Sequence, residues 1–155
     1  METQRQICTF TLDEHYFGVP VEKVQEIVYS REMTRVPLAH PAVRGLVNLR
    51  GQLLTTIDLR CRLNLGEATG GPQATGDRRQ VNVVLRSQDG IVALLVDAMG
   101  DVLELDETLF ETPPETLDPF IRRLIEGVYK LDERLLLILD TENTVDLTDK
   151  TISTR

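Results

Sequence analysis

Apolar residues recur in the same order in two parts of the chain. The segment VRGLVNLRGQLLTTIDL, which begins at Val43, matches IEGVYKLDERLLLILD, which begins at Ile125, without a gap, and Gly45 then corresponds to Gly127. A repeat of this length usually indicates two similar small folds in one chain. The copies differ at the turn, where Asn-Leu-Arg-Gly in the first stands against Lys-Leu-Asp-Glu in the second. We therefore expect a shared fold with a special surface on the first half.

The repeat also predicts which residues are buried. Equal positions along matching strands lie on equal faces of their sheets. We therefore expect two cores with matching members: Leu46, Leu53 and Ile57 in the first, and Val128, Leu135 and Leu139 in the second.

Short alternating segments between close turns predict an all-β fold with short helices. Residues 8–12 alternate apolar and polar, which is typical of a half-buried strand. Asp89-Gly90 is a favoured turn pair and joins the clearest hairpin. Residues 21–29 are expected to form a short helical turn followed by a strand, and residues 58–63 could form a short helix.

We expect one domain made of two pseudo-repeated barrel subdomains over residues 7–145, followed by a polar C-terminal tail over 146–155. Residues 66–76 are rich in Gly, Thr, Ala and Pro, which marks a flexible loop rather than a linker between independent domains. The tail is expected to end in a frayed helix or in disorder.

Length and charge exclude several classes of partner. The chain has 155 residues and a formal net charge of −8. This charge argues against nucleic acid, because phosphate binding needs a basic face, and against an anionic membrane surface. No apolar run has the length of a membrane span and the first residues lack the apolar core of a signal peptide, so we expect a cytosolic protein without direct membrane insertion.

Motifs for catalysis and cofactor binding are absent from the sequence. There is no phosphate-binding loop, no dinucleotide fingerprint and no nucleophile elbow. His15 and His40 lie far apart without metal-site spacing, and Cys8 and Cys61 are expected to be free thiols. We therefore expect no enzyme, no metal and no cofactor.

Two other functional classes stay open at this stage. A hydrolase would need clustered carboxylates with raised pKa values. The acidic residues of one segment instead resemble the solvated face of a strand and its loop: Asp97, Asp101, Glu104, Asp106 and Glu107. A small-molecule sensor would need a roomy pocket with convergent polar groups, whereas the expected core is mostly Val, Leu and Ile.

The turn of the first copy carries the most distinctive residues. Arg50 is a long and always charged side chain, and Gly51 beside it permits tight turning. This arrangement fits either a hairpin turn with a solvated arginine or a recognition arginine that binds a carboxylate on a partner.

These residues resemble a known family. Val43 to Gly51, followed by Ile57-Asp58-Leu59, resembles the hallmark of the CheW-like chemotaxis coupling proteins. The order of flanking segments fits too, because Val36-Pro37 precedes the hallmark and an apolar second half follows it. Thr55 stands where the family often has a proline. The resemblance covers about residues 7–145.

The resemblance implies two interlocked SH3-like five-stranded β-barrels with a hydrophobic core between them. It also implies a non-catalytic adaptor that couples chemoreceptors to a sensor histidine kinase. Its partners would be the signalling tip of a methyl-accepting chemotaxis protein and the regulatory domain of the kinase CheA. The protein would be cytoplasmic and recruited to membrane receptor arrays. An equivalent adaptor of a non-flagellar pathway, such as twitching motility or surface sensing, fits the sequence equally well.

Matching to the family pattern gives a set of expected receptor-binding residues: Val24, Glu26, Gly45, Asn48, Arg50 and Gly51. Glu26 is expected to orient Arg50 through a charge-assisted hydrogen bond. The kinase contacts are expected to be apolar residues near turns, with Leu38, Val43 and Met99 as the first to test.

Overall fold

The computed structural model describes residues 4–30, 33–37, 39–65, 80–88 and 90–147. These residues form ten strands, three short α-helices and two 3-10 turns, Val21–Lys23 and Glu107–Leu109. The strands and helices are, in chain order, β1 (Gln4–Leu12), β2 (His15–Pro20), β3 (Val24–Ser30), β4 (Val43–Leu49), β5 (Gln52–Asp58), α1 (Leu59–Arg62), β6 (Gln80–Ser87), β7 (Gly90–Val96), β8 (Ala98–Asp106), α2 (Pro119–Arg122), β9 (Ile125–Lys130), β10 (Leu135–Leu139) and α3 (Thr141–Val145).

The local predictions for these elements are confirmed. The predicted helical turn before a strand is the 3-10 turn Val21–Lys23 followed by β3. The short helix after β5 is α1, and the side chain of Asp58 caps it by accepting a hydrogen bond from the amide of Arg60 at 3.0 Å.

Ten strands form two sheets of five, and the two halves of the chain exchange strands between them. The first sheet has the order β8-β1-β2-β10-β9, and the second has the order β3-β6-β7-β5-β4. Each sheet therefore contains two strands from one half of the chain and three from the other. This interlocking confirms the fold class that the resemblance implied.

The internal repeat is visible in the details of strand pairing. In the second sheet the ladder between β4 and β5 shifts register between Val43 and Gly45. The ladder between β9 and β10 shifts at the matching place, where Ile138 pairs with Gly127 and Leu139 pairs with Ile125. An extra residue at the same point bends both hairpins in the same way.

Gly45 and Gly127 occupy equivalent and equally crowded positions. A Cβ atom at Gly45 would lie 2.6 Å from the carbonyl oxygen of Thr34, and one at Gly127 would collide with the carbonyl oxygen of Glu111. Thr34 and Glu111 each form an isolated β-bridge to the residue after the glycine, Leu46 and Val128 respectively. Among the described residues these single bridges join the two edges of each sheet, so each barrel stays open along most of one seam.

The main core lies between the two sheets, and a smaller apolar cluster fills the inside of each barrel. Ile57, Val128 and Leu139 all belong to the main core, so the two matching sets share one core rather than forming two. Leu135 packs against this core, whereas Leu46 is partly buried.

The prediction that Leu53 is a core residue was wrong. Leu53 is 60% exposed, and its neighbour Leu54 is buried inside the barrel with Val84 and Ala93. Leu53 lies on the same face of β5 as Ile57, but near the turn, at the end of the strand away from Ile57.

Candidate functional site

The β4–β5 hairpin turn has a backbone that its sequence favours. Arg50 and Gly51, the two central residues, have φ values of 55° and 86°. A two-residue turn with positive φ at both positions matches the right-handed twist of the strands that it joins. The amide of Gly51 donates a hydrogen bond to Oδ1 of Asn48 at 2.8 Å. Asn48 therefore fixes the turn from which the Arg50 side chain projects.

Glu26 holds the Arg50 side chain in a fixed direction. Nη1 and Nη2 of Arg50 donate to Oε2 and Oε1 of Glu26 at 2.9 and 2.8 Å. These hydrogen bonds and the charge of Glu26 raise the pKa of Arg50. The side chain of Arg50 is still 73% exposed, against 22% for Glu26. The predicted pairing of these residues is confirmed, and we call Glu26, Asn48, Arg50 and Gly51 the Arg50 site.

The two remaining residues of the predicted receptor surface, Gly45 and Val24, are less exposed than Arg50. Gly45 is buried, four residues before the turn begins on the same strand as Asn48. Val24 is partly buried, begins β3 and packs against the main core. Their contact with a receptor stays a prediction.

The predicted kinase-binding residues are less exposed than expected. Val43 is partly buried, and Met99 is partly buried against the main core. Leu38 lies outside the described residues. The large apolar side chains that are most exposed in the described part of the chain are other ones: Tyr29, Val36, Leu53, Val102 and Leu109.

An ion cluster around Arg60 was missed in the sequence. The Arg60 side chain is 9% exposed, and its Nη2 lies 2.5 Å from a carboxylate oxygen of Asp13 and 2.5 Å from one of Asp97. The assignment of Asp97 to a solvated acidic face was therefore wrong, because it is largely buried in this cluster. Asp13 belongs to the β1–β2 turn and Asp97 to the short connection from β7 to β8, so Arg60 ties the two sheets together.

A second buried arginine fixes helix α3. Arg62 is fully buried, and its guanidinium donates to the backbone carbonyls of Thr144, Asn143 and Asp146 at 2.8, 2.7 and 3.0 Å. A cation at this place satisfies the free carbonyl groups at the end of α3. Nothing in the local sequence of α1 reveals a partner more than eighty residues away.

The described residues offer little for other chemistry. They contain no group of three or more His, Cys, Asp or Glu side chains that could hold a metal ion. Cys8 and Cys61 are free, as predicted, and burial raises the pKa of both thiols. No helix within the described ranges is long and apolar enough to cross a membrane.

Comparison with known proteins identifies similar sequences over nearly the whole chain. The family described as CheW-like domain matches residues 6–148. The chain is 31% identical over 146 residues to chemotaxis protein CheW of Bacillus subtilis (strain 168), which covers 94% of this chain and 90% of that protein. It is 28% identical over 141 residues to chemotaxis protein CheW of Treponema pallidum (strain Nichols), covering 90% and 81% of the two chains.

Two further similarities extend this comparison. The crystal structure of the scaffolding protein TtCheW from Thermoanaerobacter tengcongensis matches with a TM-score of 0.79 and 25% identity, over 93% of this chain and 89% of that chain. Protein PilI of Pseudomonas aeruginosa is 25% identical over 129 residues, which cover 83% of this chain and 68% of that protein.

Proposed function

Because the chain belongs to the CheW-like family of chemotaxis scaffold proteins, we propose that it couples chemoreceptors to a sensor histidine kinase. Proteins of this family are non-catalytic scaffolds, which agrees with the lack of catalytic motifs in the sequence. The observation that carries the proposal is the family match over residues 6–148. A pull-down with a chemoreceptor signalling domain and with a kinase regulatory domain tests it, and binding to neither would refute it.

The Arg50 site is the surface that we assign to the receptor. Its guanidinium is exposed and held in one direction by Glu26, so a partner meets a side chain whose conformational entropy is already reduced. The turn that carries it rests on Asn48 and Gly51 rather than on contacts with the core. The proposed receptor surface is therefore polar and lies at the β4–β5 turn of the second sheet.

Charge reversal tests this assignment. Arg50→Glu places two like charges beside each other with Glu26 and should weaken receptor binding at least tenfold, because the partner meets repulsion instead of a cation. The melting temperature should change little, since the side chain is exposed. Arg44→Glu on the same hairpin serves as a matched control for net charge and should preserve receptor binding. A large loss of stability in Arg50→Glu would show that Arg50 is structural.

We assign the kinase to a different surface, because an adaptor must hold both partners at once. Interfaces of this kind combine a small apolar centre with a polar rim. Met99 and Val102 lie on the same face of β8, opposite Phe10 and Cys8 of β1, and Val102 is 57% exposed. This strand belongs to the first sheet, whereas the Arg50 site belongs to the second. Val102 therefore joins Met99 as a residue to test on the first sheet. Val43 is tested as well, because it lies at the end of β4 away from the Arg50 site.

Single substitutions separate the two surfaces. Val102→Asp and Val43→Asp should each be measured for binding to the kinase regulatory domain and to the receptor domain. A selective loss of kinase binding supports the assignment of that residue. Loss of both partners together, with an unchanged melting temperature, would mean that the two surfaces are not separate.

The similarity to PilI favours a second candidate pathway. This similar protein has a name other than CheW, so the proteins that resemble this chain are not confined to those named for chemotaxis. The equivalent adaptor of a non-flagellar pathway would use the same two surfaces. Deletion of the gene followed by swimming and surface-motility assays distinguishes the two pathways, because each predicts loss of one behaviour alone.

A further inference from the structure

The interiors of the two barrels differ at one matching place. We call the barrels formed by the first and second sheets the first barrel and the second barrel. In the second barrel Thr56 pairs with Gly45, and in the first barrel Ile138 pairs with Gly127. Because the two glycines are equivalent, a threonine of the second barrel stands where the first barrel has an isoleucine.

The neighbouring strands contain a second exchange of the same kind. Ala93 and Gly18 match each other, since each is the parallel partner of the residue just compared. Asn82 of β6 lies two residues before the antiparallel partner of Ala93, and Ile7 of β1 lies two residues before that of Gly18. Residues two apart on a strand share a face. Asn82 of the second barrel therefore stands where the first barrel has Ile7.

The two exchanged residues form a buried polar pair. Oγ1 of Thr56 donates to Oδ1 of Asn82 at 3.2 Å, and both residues are fully buried. Nδ2 of Asn82 finds no hydrogen-bond partner among the described residues, and the hydroxyl of Tyr129 in the first barrel finds none either. These two unpaired groups offset each other. The second barrel is still the weaker one, because Ile7 and Ile138 remove more apolar area from water than the polar pair does.

One backbone bridge joins the two edges of each barrel, and the two bridges have the same geometry. The amides of Thr34 and Leu46 donate to each other's carbonyl groups at 2.9 and 2.8 Å. Those of Glu111 and Val128 do the same at 2.9 and 2.8 Å. We call these bridges the second seam and the first seam. Because their hydrogen bonds match, a difference in stability between them must come from the surrounding side chains.

The segments that provide the bridges are anchored differently. Phe110, next to the first seam, packs into the apolar cluster of the first barrel, with its ring centroid 5.3 Å from that of Tyr129. At the second seam, no side chain of the described residues 33–37 belongs to the cluster inside the second barrel, and Val36 is 38% exposed. The first seam is therefore held by an aromatic anchor that the second seam lacks.

We propose that the second barrel opens locally at its seam while the first barrel stays closed, and that the Thr56–Asn82 pair weakens it. Local opening of a folded protein occurs where buried apolar contacts are fewest. Opening would part β3 from β4 and separate Glu26 from Arg50, whose hydrogen bonds cross the same seam. The Arg50 site is then complete only in the closed barrel. The inference concerns the free chain and does not depend on the proposed function.

Native-state hydrogen exchange followed by NMR on the full chain tests this proposal. The amides of Thr34 and Leu46 report on the second seam, and those of Glu111 and Val128 report on the first. We expect protection factors about tenfold lower at the second seam, with a weak dependence on denaturant, because local opening exposes little surface. Equal protection at the two seams would overturn the proposal. So would exchange at the second seam with the full denaturant dependence of global unfolding.

A double variant tests the role of the polar pair. Thr56→Val with Asn82→Leu replaces both polar groups and keeps the branching of the side chains. Two isoleucines would be too large, because Ala93 has a Cβ atom where Gly18 of the first barrel has none. Protection at the second seam should rise about tenfold, and protection at the first seam should stay the same. An unchanged ratio between the seams would overturn the role of the pair.

Phe110→Ala tests the same reasoning from the other barrel if the double variant fails to fold. Removal of the aromatic anchor should lower protection at the first seam by about tenfold or more and leave the second seam unchanged. Leu109→Ala is the matched control, because Leu109 is the preceding residue and is 64% exposed. It should leave both seams within about twofold of the unchanged chain. Full protection of the first seam in Phe110→Ala would show that side-chain packing does not decide which barrel opens.

Discussion

Removing the Arg60 guanidinium should expose how strongly one ion cluster ties the two sheets together. Arg60→Met keeps most of the apolar stem of the side chain and deletes the charge. Asp13 and Asp97 then lose their shared partner. Because both carboxylates bind Nη2 at 2.5 Å, their oxygens are within about 5 Å of each other and would repel.

The size of the effect follows from this geometry. Two unit charges about 5 Å apart repel by about 3 kcal/mol at an effective dielectric constant of about 20. The carboxylates are 25% and 22% exposed, so water screens part of this repulsion. The loss of several charge-assisted hydrogen bonds lowers the unfolding free energy further. We expect a loss of about 2–4 kcal/mol in unfolding free energy, near the lower end for a broken buried pair. In a chain of this length, that lowers the melting temperature by about 6–12 °C.

Calorimetry or thermal denaturation followed by circular dichroism measures this change. Arg44→Met is the matched control, because Arg44 pairs with Asp58 at 3.1 Å but is 46% exposed. Its loss should cost at most about 1 kcal/mol. Adding Asp13→Asn and Asp97→Asn to Arg60→Met should recover much of the stability, since asparagine tolerates the φ of 53° at position 13. A melting temperature for Arg60→Met within about 2 °C of the unchanged chain would refute the reasoning.

Three further predictions follow from the packing and the strand order. Gly45→Ala should lower the unfolding free energy by about 1–3 kcal/mol in denaturant titration, because its Cβ would lie 2.6 Å from a backbone oxygen of Thr34; an unchanged midpoint would contradict this. Burial raises the pKa of Glu126 above its usual 4.5, so the folded state becomes less stable as pH rises through this window. Glu126→Gln should therefore melt slightly higher than the unchanged chain at neutral pH and equally below about pH 4 in calorimetry. Halves produced by cleavage between Leu65 and Gln80 should be unfolded alone and fold on mixing, as judged by circular dichroism, because each sheet takes strands from both; a folded isolated half would disprove it.

The parts of the fold that the sequence predicted depend on local pattern. Alternation of apolar residues identified the hairpins, and two glycines in equal positions identified the repeat. Gly45 and Gly127 carry this information because each faces a backbone carbonyl that leaves no room for a Cβ atom. The pairing of Arg50 with Glu26 was also predicted, because both residues match the family pattern.

The parts that were missed depend on distant contacts. Leu53 and Leu54 are neighbours in sequence, and the ladder to β4 decides which of them faces the barrel interior. Arg60 lies 47 residues from Asp13 and 37 from Asp97, so no local pattern could assign them to one cluster. Asp97 looked solvated because several acidic residues follow it in the sequence, whereas its burial comes from its contact with Arg60 of the other half of the chain.

The strand exchange has a mechanical consequence for an adaptor. The chain passes from one sheet to the other through the 3-10 turn Val21–Lys23 and again through the single residue Asp97. Neither passage has spare length, so the two barrels cannot swing about a hinge as domains on a flexible tether do. Two partners bound to opposite barrels would thus be held at a spacing set by covalent geometry.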